Sequence, residues 1–118
     1  MAPREENSLL LIAEISGVRL YKSLVLQIKK DFEMIGQAIA ISEFMPPEIV
    51  VKELQLQVHH LLQHNFNAYL QLLYRVDVPE HLIGFTGQDS RHIAERAVFF
   101  ILKREYEKVQ GRANFTKE

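Results

Sequence analysis

Three of the five histidines crowd into one stretch, Val58-His59-His60-Leu61-Leu62-Gln63-His64. His60 and His64 are four residues apart, the spacing that lets two imidazoles on one helical face share a metal ion. A zinc site needs at least one more protein ligand nearby, and only His81 and His92 remain to meet the pair from elsewhere. Helical phase sets His60 and His64 nearly opposite the apolar stripe of their own segment, beside Glu53, Gln57, Asn67 and Gln71. We read them as a solvated polar face, so no metal site is assigned and His60 and His64 stand only as weak candidates. A carboxylate di-metal bundle would need Glu-x-x-His motifs facing inward. The chain has only the reversed order, His92-Ile93-Ala94-Glu95.

Other chemistry is equally thin. There is no Gly-x-Ser-x-Gly nucleophile context, and Gly84-Phe85-Thr86-Gly87 lacks the lysine and preceding strand of a phosphate-cradling loop. Asn114-Phe115-Thr116 matches a glycosylation sequon, which means little without a secretory signal. No catalytic residue and no cofactor are assigned, and the chain is read as non-enzymatic.

These side chains ride on a helical pattern. From about Val18 to Ile39, Tyr21, Leu24, Val25, Ile28, Phe32, Ile35 and Ile39 share one stripe, with Lys22, Lys29, Lys30, Glu33 and Gln37 opposite. Extending that phase backward puts Glu14 among the apolar residues. Leu9 to Ile15 is therefore a separate element, read as a helical turn rather than a strand, with a break at Ser16-Gly17. Pro47-Glu48 opens a second helix with an acidic first turn, expected to reach Arg75 before Val78-Pro79. Its stripe is Val51, Leu54, Val58, Leu61, Leu62, Tyr69, Leu72 and Leu73. Pro79 to Phe85 suggests a further turn stopped by Gly84 and Gly87. Asp89 or Ser90 caps a third helix, with Ala94, Ala97, Val98, Ile101 and Leu102 inside and Gly111 as its stop. The expectation is one all-α domain over residues 1–118, an antiparallel bundle of three main helices with the N-terminal segment as a possible fourth member. Residues 1–7 and 111–118 read as frayed ends.

Two polar residues fall on apolar faces, Asn65 in the second stripe and Glu105 in the third. Either each sits at a helix edge reached by water, or they form a buried polar pair that fixes register or marks a pocket. Arg19, Arg75 or a tyrosine hydroxyl could satisfy Glu105.

The main functional pointer is surplus apolar surface. Leu56, Leu70 and Tyr74 lie away from the second stripe, with Phe66 at its edge, and Phe99, Phe100 and Tyr106 lie away from the third. Three helices bury roughly one face each, so these second faces need a cover. The Leu9–Ile15 segment and the Ile39–Met45 connection are internal candidates; a second copy or another protein is the external one. The expected function is protein–protein contact or self-association, with a homo-oligomer or another protein as partner. The alternative is a metal- or small-molecule-binding protein using the histidine cluster.

Composition narrows the field. The 118 residues are 47% hydrophobic and 25% charged, ordinary for a globular domain. Fourteen basic against fifteen acidic residues leave a formal charge of −1, no footprint for a polyanion, so a nucleic-acid partner is not expected. There is no cysteine, which removes disulfides and thiolate chemistry and suits a cytoplasmic setting. Unbroken apolar runs such as Leu9 to Ala13 are far below the ~20 residues of a membrane span, and Glu5, Glu6 and Glu14 disfavour a signal peptide.

Overall fold

Gly36 ends the first long helix with a backbone device that only a residue tolerant of positive φ adopts without strain. In this computed structural model, which describes residues 7–16, 19–84 and 89–116, Gly36 has φ 74°. Its N–H donates to the Glu33 carbonyl at 3.0 Å and Gln37 N–H reaches back to Phe32 at 2.9 Å, the paired bonds of a Schellman cap. The helix is therefore shorter than the apolar pattern implies. It runs Tyr21–Met34 rather than to Ile39, and Ile35 and Ile39 pack against the core from outside it.

The described residues hold five α-helices and no strand: α1 Ser8–Ser16, α2 Tyr21–Met34, α3 Pro47–His64, α4 Phe66–Val76 and α5 Ser90–Thr116. A short 3-10 turn, Glu80–Leu82, lies between α4 and α5. The expected single helix over 47–75 is thus two helices. Asn65 breaks it, leaving helical geometry at φ −151°, ψ 71° while its Oδ1 accepts the Ala68 N–H at 3.2 Å. An asparagine offers the backbone this alternative to the helical ladder, so it serves α4 as an N-cap. The residue assigned to the core stripe is accordingly exposed.

α5 is the central element and touches each of the other four helices. Its inward face, Ile93, Ala94, Ala97, Val98, Ile101 and Leu102, is buried. Small alanines allow close approach there, and the apolar stripes of α2, α3 and α4 close around them. The N-terminal segment is helical. α1 packs on α3 and α5, burying Ile12 and Ile15, while Ile41 in the α2–α3 connection also enters the core. Both segments pack inward, yet Leu56, Phe66 and Tyr74 of the second apolar faces stay exposed.

At the far end α5 passes through Gly111 to Thr116. That glycine keeps a helical backbone, since only Gly36 and Gly84 carry positive φ among the described glycines. Gly111 is not a stop, and much of the segment expected to fray is helix. At the other end Asp89 Oδ1 accepts the His92 N–H at 2.9 Å and caps α5. Residues 1–6, 17–18, 85–88 and 117–118 lie outside the described residues; they include most of the frayed start, Gly17 of the Ser16-Gly17 break and the Gly87 stop. No helix among those described is long and apolar enough to cross a membrane.

Candidate functional site

α2 and α4 end side by side, and what their caps do there shapes an open groove at the surface. The Schellman turn stops α2 at Met34, leaving that side chain 61% exposed at the helix end. On α4, Tyr69, Leu72, Leu73 and Val76 face the core, Leu70 is partly buried against it, and Tyr74 faces outward. Asp77 turns the chain in left-handed geometry, φ 75°, and its carboxylate pairs with Arg104 on α5 at 3.2 Å. Val78, Pro79 and Glu80 then run back along α4. Between these walls lies an open groove of about 950 Å³, lined by Met34, Ile35, Leu70, Tyr74, Val78 and Pro79 among others. Tyr74 is 90% exposed beside it.

Beneath the groove lies a charged cluster that apolar periodicity alone does not predict. Arg75, a groove residue, donates Nε to Asp31 Oδ1 of α2 at 2.9 Å, and Gln27 Nε2 donates to the same oxygen at 3.1 Å. Asp31 and Glu105 are both almost wholly buried, and their carboxyl groups are hydrogen-bonding neighbours. Lys108 Nζ reaches both, 3.2 Å from Glu105 Oε1 and 3.7 Å from Asp31 Oδ2. Two carboxylates in one dry site cannot both ionise cheaply, so one keeps its proton. Burial, followed by the adjoining Asp31, pushes the Glu105 carboxyl up to about 8 despite Lys108. Burial opposes the Asp31 charge too. The hydrogen bonds from Glu105 and Gln27, with Lys108 and Arg75, outweigh it and hold Asp31 below the usual carboxylate range. At neutral pH Glu105 therefore keeps its proton beside the charged Asp31.

Thus Glu105 is buried, with α2 and α5 groups as its neighbours. Arg75 serves it indirectly through Asp31. Asp31 carried a sequence signal, since it lies three residues after Ile28 and next to Phe32, on the apolar side of α2.

The surplus apolar residues divide. Leu70 and Tyr74 come together at the groove. Phe66, 45% exposed, stacks on Tyr69 with centroids 5.6 Å apart at the start of α4. Leu56, 56% exposed, lines a separate cleft with His59, Lys52 and Arg91. The chain itself covers Phe99, while Phe100 and Tyr106 are partly buried against the core.

His81 is exposed, and the other four histidines occupy three settings. His60 and His64 lie at the surface with ring centroids 4.9 Å apart, and no cluster of three or more His, Cys, Asp or Glu suited to a metal occurs among the described residues. His59 Nε2 lies 2.8 Å from Ser90 Oγ, joining α3 to α5. A Ser–His contact beside a cleft resembles an activated nucleophile, but catalysis also needs donors aimed at a developing oxyanion. The first N–H groups of α5 already point to Asp89, whose carboxylate they hold below its usual range together with the His92 ring. The His59–Ser90 contact ties α3 to α5. His92 Nδ1 completes the Asp89 cap at 3.0 Å. Comparison of the chain with protein-family models, with characterised proteins and with solved structures finds no match.

Proposed function

We propose that this protein works without catalysis, as a helical domain that contacts another protein through the groove between α2 and α4. The observation that carries the reading is the pairing of Met34 and Tyr74, 61% and 90% exposed, on the walls of one 950 Å³ groove. Scattered surface apolar residues are ordinary, whereas a contiguous set rimmed by polar groups marks interaction surfaces. Tyrosine beside a depression is a frequent source of binding energy, because it brings large area with few rotors to immobilise. The rim supplies polarity through Gln71, Arg75, Asp77 and Glu80. Arg75 is fastened from below by Asp31, so one wall is set before a partner arrives, which lowers the ordering cost of binding.

The test is a photoreactive benzoylphenylalanine at position 74, in cells that make the protein, with position 63 on exposed α3 surface as the control. The expected result is a discrete protein adduct from position 74 and none from position 63. Absence of any adduct at 74 would remove the reading.

A further inference from the structure

Resting on that reading, we infer that the partner at the groove is a second copy of this chain, docked about a two-fold axis. The groove is one half of a complementary pair, and the other half runs directly into it. Lys22, Leu26, Lys30 and Met34 recur every fourth residue of α2 and are all exposed, Leu26 at 44%. They form a ridge along α2 with apolar and cationic positions alternating, about 18 Å long at 1.5 Å per residue. Rows of side chains spaced by four are the ridges that seat in grooves when helices pack. The groove offers apolar walls and, beyond Tyr74, two carboxylates, Asp77 and Glu80.

The charges make this pairing selective. Arg75 is committed to Asp31 and Asp77 to Arg104. Glu80 stays exposed on the groove rim and makes no ion pair among the described residues. Lys30, one turn before Met34, is likewise an exposed cation without an ion pair among the described residues. Because Met34 belongs to both ridge and groove, a two-fold axis beside it brings each copy's ridge to the other's groove. Lys30 of each copy then faces Glu80 of the other, and each Tyr74 enters the opposite groove. Opposite charges across such an interface set register and reject wrong partners.

Sedimentation equilibrium of the full chain from about 5 to about 200 µM tests this, a range that brackets micromolar self-association. Wild type is expected to move from monomer to dimer, and Tyr74→Glu to remain monomeric with an unchanged melting temperature. Lys30→Glu and Glu80→Lys should each weaken the dimer about tenfold, and the double reversal should recover most of that loss. A wild-type monomer throughout, or a dimer indifferent to these substitutions, overturns the inference. If wild type stays monomeric while position 74 captures a different protein, self-pairing is wrong and the contact function stands. If position 74 captures nothing, both fail.

Discussion

Replacing Glu105 by glutamine should remove most of the pH dependence of stability between about 4.5 and 8. In the unfolded chain this carboxyl loses its proton near 4.5, whereas in the folded protein it keeps it to about 8. Across that window the native state binds a proton that the unfolded state has released. Stability is therefore complete at acidic pH and falls as pH rises, at ~1.4 kcal/mol per pH unit. The full interval sums to something on the order of 5 kcal/mol. Lys108 is a quarter exposed and admits solvent screening, so a loss of a few kcal/mol is expected. Asp31 acts with the opposite sign: its stabilisation is present above its unfolded value and disappears as pH falls through its lowered folded one. Together they place maximum stability near pH 4 to 5. Urea unfolding followed by far-UV circular dichroism at half-unit pH steps measures this directly, since the chain has no tryptophan to report otherwise. Glu105→Gln keeps a donor toward Asp31 and carries no titratable proton. It should match wild type near pH 5 and exceed it by a few kcal/mol at pH 8. A wild-type profile flat from pH 5 to 8, or an equal slope in the glutamine variant, would refute the protonated assignment of Glu105.

Asp31→Asn should cost about 3 kcal/mol at pH 7 in the same assay, because Arg75 and Lys108 lose the buried anion that faces them. Gly36→Ala should cost about 1 kcal/mol although a Cβ there meets nothing within 4 Å, since only the backbone is strained. Gly111→Ala should do the reverse and stabilise α5 by about 0.5–1 kcal/mol, with the melting temperature as the readout. Asn65→Ala should cost about 1 kcal/mol by removing the acceptor for the Ala68 N–H, and a change within measurement error would deny it a capping role.

The apolar periodicity made much of this architecture legible. The stripes of Leu24, Val25, Ile28 and Phe32, and of Ala94, Ala97, Val98, Ile101 and Leu102, are buried as their spacing requires. Three boundaries escaped it for one reason: periodicity records which face is apolar and says little about where a helix stops. Gly36 and Gly111 look alike in sequence, yet only Gly36 is followed by the paired backbone bonds that close a helix. Asn65 sits in phase with the core, but its side chain competes for a backbone donor and converts one long helix into two. Glu105 was visible as a misplaced charge, whereas its partnership with Asp31 joins residues 74 positions apart. No spacing rule reaches that far. The groove itself arises from where two helices end, so it became apparent only with the caps.

The contact surface is tested most directly by hydroxyl-radical footprinting of the full chain at dilute and concentrated protein. Tyr74 and Phe44 are matched controls for each other, 90% and 89% exposed, and Phe44 does not line the groove. Tyr74 and Met34 should become several-fold less reactive as concentration rises through the micromolar range, while Phe44 keeps its rate. Equal rates for all three at every concentration would contradict a self-paired α2–α4 groove.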